Sequence, residues 1–482
     1  MTTCSELSTN VGIVSRSFIP LSVDKGLHSE QRAVEIFDPA PIEISPDKPP
    51  DRREAESAIS AADIGKAKRP LRREQLIRQA ALLTFCDLAP SQNLLLTQLS
   101  KREWRKLLKW LDISGLALYF FDRIEELQMC ELLPTEVITR LRRNLLDNTR
   151  RTAGMIAESL AIQQDLQKAN VSYAIIKGLS LGPPSVARPE LRHQFDLDFL
   201  IAEKCIHDAR SILEERGYRL YTISGRTWEF KKNERPGVPL SELYKDLPGR
   251  SVELHVDAGR SGRLPILDRT EWREFYGKSA PILPAVYQFI GQGMHAYKDI
   301  CSEFLRVSHL LEFRRHASAR STDGVFWDEL RIVVQDDPSV ILGLGVATQL
   351  ITRVMGPFAP EKFTCWTVSC LPASVLSWID VYGNRVVFRK FPGDKLHLVL
   401  RKELEGVGIP DERQLWSRII PLHLPPTLVK PIAHESISLR ARRYRLQLHQ
   451  IVSRLRFHIV EGLRYAQEAR RWQQHKNRVR PR

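Results

Sequence analysis

The sequence predicts an α+β protein: a small mixed-sheet core at 171–260, flanked by helical N- and C-terminal segments. Three observations predict it. Between about 72 and 170 the apolar residues recur three and four apart, which is helical spacing. From 171 to 260 the apolar runs become short, rich in β-branched and aromatic residues, and broken by glycine. Helical spacing then returns after residue 285. At 482 residues the chain exceeds one ordinary core and predicts two or three packed units.

Residues 1–70 ("FDPAPIEISPDKPPDRREAESA") are rich in Pro, Asp, Ser and Glu without a sustained period, so a disordered extension is expected. A helical segment follows at 71–170. "LRREQLIRQAALLTFCDLA" and "REWRKLLKWLDISGLALYFFDRIEEL" lead into one or two long helices that start at Pro134–Thr135. Proline loses nothing in a first turn, and threonine caps free amides. In the core, "VSYAIIKG" and "FDLDFLIA" read as strands. "EKCIHDARSILEERGYRL" reads as a helix closed at Gly217, and "YRLYTISG", "TWEFKKN" and "SVELHVDAG" read as further strands. Residues 261–325 are expected to be a helical segment closing a cleft, through "AVYQFIGQGMHAYKD" and "EFLRVSHLLEFRRHA". Residues 326–435 read as a mixed C-terminal domain with Pro-rich breaks, and 436–482 as a basic amphipathic helix and tail.

The net charge of +15 is uneven: 431–482 holds 13 Arg/Lys against 3 Glu, a local excess of 10. The basic balance therefore belongs to the tail and is no whole-chain nucleic-acid signature. In that tail Leu448, Val452, Leu455, Ile459 and Leu463 recur at helical spacing. The expected role is packing on the protein's own body, with a solvated basic face. The other reading is contact with RNA or an anionic membrane surface. The seven cysteines are odd in number and dispersed, which fits reduced thiols. Cys365 and Cys370 have no second Cys/His pair nearby, so no zinc site is expected there. No apolar run spans a bilayer and the first residues carry no secretory pattern, so a cytoplasmic protein without a transmembrane segment is expected.

The chemistry centres on Asp196 and Asp198. Side chains alternate along a strand, so the two carboxylates share a face while Phe195, Leu197 and Phe199 take the other. Two like charges at that spacing repel strongly in a low dielectric. A divalent cation removes the conflict, and hard oxygen ligands suit Mg²⁺ (or Mn²⁺) together with substrate phosphates. Glu253, which shares its strand face with His255, is the candidate third acid. Lys177 and Gly178 end the first strand, where an ammonium and a glycine amide suit a phosphate; Ser180 adds a donor. Arg192 offers a guanidinium fork to a triphosphate.

"VSYAIIKG", "LR…DLDFLI", "LEERGY" and "SVELH", in that order and spacing, resemble the uncharacterised nucleotidyltransferase family of the DNA polymerase beta-like superfamily. The resemblance covers roughly 75–320. It implies a nucleotidyltransferase core with Asp196, Asp198 and Glu253 as metal ligands and catalytic carboxylates. It implies nucleotide contacts from Lys177, Gly178, Arg192, and from His295 and Lys298 on a later helix. The sequence departs from the family pattern in three places. Phe195 stands where glycine is usual, Pro183–Pro184 follow the "KG" turn, and "LRVSHLLEF" lacks an expected aspartate. The expected function is transfer of a nucleoside monophosphate from a nucleoside triphosphate to an acceptor hydroxyl or phosphate, with release of pyrophosphate. The acceptor class (small molecule, protein or RNA) stays open. The alternative is a catalytically weakened relative acting as a binding or scaffold module.

Overall fold

A computed structural model describes residues 12–13, 72–86, 90–233, 238–247, 249–257, 265–405 and 437–479. The expected disordered extension at 1–70 lies almost wholly outside them. From residue 73 the chain is helical, as its period dictates: α1 (Arg73–Leu83), α2 (Pro90–Thr97), α3 (Lys101–Ser114), α4 (Ala117–Glu126) and the 34-residue α5 (Thr135–Lys168). The local chemistry of α3 is plain. Ser100 and Glu103 form a reciprocal capping box at its start, and Gly115 closes it in the left-handed region at φ +78°.

Seven strands of one sheet follow: β1 (Tyr173–Ile176), β2 (Asp196–Ala202), β3 (Arg219–Ser224), β4 (Thr227–Lys232), β5 (Arg250–Asp257), β6 (Glu271–Phe275) and β7 (Lys278–Ile282); the two-residue strands Gly12–Ile13 and Val238–Pro239 pair separately. They form one mixed sheet in the order β3-β4-β5-β2-β1-β7-β6. β2 runs parallel to β5 and antiparallel to β1. Helix α6 (Ile206–Glu215) joins β2 to β3. The β6–β7 hairpin lies outside the predicted set. Its first strand is exposed at four of five positions, so it lacks the buried alternation that marks a strand. Its turn is Tyr276–Gly277, both at positive φ, rather than the more usual Asn-Gly.

One face of the sheet is a core. Leu197, Phe199 and Ile201 of β2 and Val252 and Leu254 of β5 pack with Met155, Ile162 and Leu166 of α5 and with Ala209 and Leu213 of α6. The other face carries the even-numbered β2 side chains, including the acids. Beside them Leu200, Ala174 and Ile176 form a small apolar patch with Leu267 and Leu283.

The sheet is followed by α7 (Ala285–Ile300), α8 (Val307–Ala319), α9 (Gly324–Val334), α10 (Pro338–Met355), α11 (Glu361–Thr367), α12 (Ala373–Val387) and α13 (His397–Glu405). The described part of 326–405 is thus helical, with its breaks at prolines; 406–435 lies outside the described residues. These helices share one core with α1, α3 and α4. α10 is long and apolar enough, by length and composition, to cross a bilayer, which the sequence reading did not expect of any segment; 61% of it is buried inside the protein. α14 (Ile437–Val479) closes the chain as a 43-residue helix. It docks through Tyr465 and Trp472, which belong to the helical core. Leu448, Val452, Leu455, Ile459 and Leu463, the stripe expected to pack, are all exposed. The docking face is instead the one marked by Trp472, whose indole N–H donates to Glu403 at 2.8 Å.

Candidate active site

Register builds the site. β2 and β5 pair in parallel with Asp198 opposite Glu253 and Asp196 opposite Ser251. Asp196, Asp198, Glu253 and His255 therefore share one face, on strands about 5 Å apart. β1 ends beside them, with Ile176 opposite Asp198, which delivers Lys177 to the same point. Lys177 sits at φ +53° and Gly178 at φ +29°, so the chain turns sharply where β1 stops. A side chain on residue 178 would meet Gln194 Oε1 at 2.7 Å. Ser180 is buried, and its hydroxyl donates to the Lys177 carbonyl at 2.8 Å, closing the turn. The run after Gly178 stays helical only to Leu181, before the two prolines.

The charges converge. Lys177 Nζ donates to Asp198 Oδ1 at 2.8 Å and lies 3.6 Å from Glu253 Oε2. His255 Nε2 lies 3.0 Å from Asp198 Oδ1, 3.3 Å from Glu253 Oε2 and 3.0 Å from Lys177 Nζ. Its Nδ1 is 3.1 Å from Thr227 Oγ1. Burial works against ionisation at Asp198, but Lys177 and the His255 hydrogen bond outweigh it and hold that carboxyl well below the usual range. Among the described residues none donates a hydrogen bond to Asp196, and Lys177 and Arg192 lower it only in part. Burial, then the neighbouring Asp198 and Glu253, push its carboxyl up to about 6. Burial lowers His255 and Lys177, but hydrogen bonds to Asp198 and Glu253 raise the imidazole, and the same two acids raise the ammonium.

The remaining predicted residues take other places. Arg192 points into the helical core. Its Nε donates to Glu312 of α8 at 3.2 Å and its guanidinium also reaches Gln194 at 2.8 Å. Phe195 lies under the Arg151 guanidinium, 4.2 Å from its ring centroid. His295 stacks edge-on against His309, with ring centroids 4.3 Å apart, and Lys298 is exposed on the same helix.

Several residues were given no role by the sequence reading. Glu312 is buried and accepts from Tyr119 Oη at 3.0 Å as well as from Arg192. Arg306 donates to the His193 carbonyl at 2.8 Å. Gln194 spans Arg192 and Gly178. The signal was present in "LRVSHLLEF": Arg306, His309 and Glu312 recur at i, i+3 spacing, which makes each the helical neighbour of the next.

A mixed sheet with paired strand acids, a lysine-glycine turn and a flanking helical body is the architecture of a nucleotidyltransferase-like protein. Residues 100–336 match the family described as uncharacterised nucleotidyltransferases. Matching solved structures include the antibiotic-resistance factor ANT(2'')-Ia, at 11% identity and a TM-score of 0.29, over 39% of this chain and 96% of that one. Another is an antigenic nucleotidyltransferase-like protein from Paracoccidioides brasiliensis, at 16% identity and a TM-score of 0.24, over 39% and 89%. No curated protein matches the sequence.

Proposed function

We propose that the protein is a metal-dependent nucleotidyltransferase that moves a nucleoside monophosphate from a nucleoside triphosphate to an acceptor hydroxyl or phosphate and releases pyrophosphate. The observation that carries this reading is the register of Asp198 against Glu253, with Asp196 on the same face. Three carboxylates face one lysine and one histidine, an excess of negative charge in a confined place. An oxygen donor set of this kind fits Mg²⁺ or Mn²⁺, held by Asp196, Asp198 and Glu253. When bound, such a cation neutralises charge that develops on the transferred phosphoryl group. In this reading Glu253 takes the proton of the acceptor, and Lys177 and Gly178 meet the triphosphate. Arg192, held by Glu312, fixes the segment that enters β2. The acceptor is a small molecule, a protein or an RNA. The exposed arginines of α14, Arg440, Arg445, Arg456 and Arg464, are read as a contact for an anionic surface. Cys130, Cys205, Cys365 and Cys370 are reduced thiols, on which we read the protein as cytoplasmic.

The test is thermal unfolding with ATP, CTP, GTP or UTP, with and without Mg²⁺. At least one triphosphate with metal raises the unfolding temperature, and the same pair leaves Asp198→Ala unmoved. One observation favours a second reading. The Lys177 ammonium already lies between Asp198 and Glu253, where a cation would be held. A binding or scaffold module that keeps the fold would look like this. An unfolding temperature indifferent to every triphosphate and metal pair would favour that module and sink the enzyme.

A further inference from the structure

We infer that His295, Asp299 and His309 form a second metal site, selective for Zn²⁺ and similar imidazole-seeking divalent cations. His295 and Asp299 are four residues apart on α7 and so lie on one face of it. His309 comes from the first turn of α8, across the connection at 301–306. Each residue offers one ligand atom, and these atoms all lie within 4.8 Å of one another. His309 Nδ1 is already 2.7 Å from Asp299 Oδ2. Two nitrogens and one oxygen around an open position are a zinc-type donor set, unlike the strand acids, whose oxygens suit a harder ion. Asp299 and His309 are buried and His295 is half-buried, so a bound ion is screened from bulk water yet reachable from one side.

The placement gives the site a consequence. Arg306 and Glu312 flank His309 at i±3 on α8, and they grip His193 and Arg192 just ahead of β2. An ion on His309 would tie α7 to the helix face that fixes the segment leading into Asp196. This inference does not rest on nucleotide transfer.

The experiment is a Co²⁺ titration of the full-length protein after chelator treatment, followed by visible absorption, with Zn²⁺ as competitor. It is done in wild type and in an Asp198→Asn protein, which disables the strand acids. Expected are visible Co²⁺ bands in both, saturating at one equivalent in Asp198→Asn and bleached by Zn²⁺. His295→Gln, at the half-buried position, weakens this binding at least about tenfold with the circular dichroism unchanged. His309→Asn does the same where it folds, and His295→Gln decides the matter where it does not. Absence of the bands, their loss in Asp198→Asn, or their persistence at full strength in His295→Gln overturns the site.

Discussion

Asp196 and Asp198 are the same residue type, one residue apart on one face, yet their environments pull them in opposite directions. Asp198 has Lys177 and His255 within hydrogen-bond reach and stays ionised. Asp196 has burial and two neighbouring carboxylates, and is pushed up to about 6. The sign of its effect on stability follows. A carboxyl raised in the folded state stabilises the fold while it is protonated, fully so below its ordinary value of 3.8. That contribution is lost as pH rises through about 6. In chelator, the unfolding free energy from urea titration should therefore fall between pH 4 and 7, by about 1–3 kcal/mol from this group. Asp196→Asn should flatten the fall, and Mg²⁺ at pH 7 should recover it in wild type but not in the variant. A wild-type unfolding free energy that is level across this range would show that Asp196 feels no such repulsion.

Helix α14 shows how one element can carry two apolar stripes with different fates. Trp472 is 3% exposed and anchored to Glu403, which also accepts from Lys476 at 3.0 Å. Leu455, on the other stripe, is 57% exposed. Trp472→Ala should cost about 3–5 kcal/mol and open 437–479 to limited proteolysis. Leu455→Ala should stay within about 0.5 kcal/mol of wild type. Equal effects of the two substitutions would mean that the helix is held by the other face. The β6–β7 hairpin makes the same point for strands. It joins the sheet edge through a parallel contact of Ile282 with Ile175, although most of its first strand faces water.

Across the molecule, two apolar cores meet at a polar seam. One lies under the sheet and the other among the helices. Arg192, from the segment entering β2, is bound to Glu312 of α8, and Glu312 is held in turn by Tyr119 of α4. Burial disfavours the Glu312 charge, but Arg192 outweighs it and keeps the carboxylate ionised. Removing one partner of a buried pair strands the other, so Glu312→Gln should lower stability by about 3–5 kcal/mol. It should also shrink the thermal shift produced by triphosphate with Mg²⁺. A variant that loses stability but keeps the full shift would make the seam a scaffold without influence on the acids.

The chain's local chemistry determined much of this protein by itself. The helical periods, the short strands, the turn at Lys177–Gly178 and the shared face of Asp196 and Asp198 all follow from spacings within a few residues, because backbone geometry repeats every 3.6 or 2 residues. Tertiary structure alone decided what those side chains meet. The pairing of Asp198 with Glu253, 55 positions apart, depends on strand order. The turning of Arg192 toward Glu312, the meeting of His295 with His309 and the choice of docking stripe on α14 depend on which helix faces lie against one another. A periodic pattern fixes which residues share a face; what lies opposite that face is set by the packing of elements distant in sequence, where burial and charge partners are decided together.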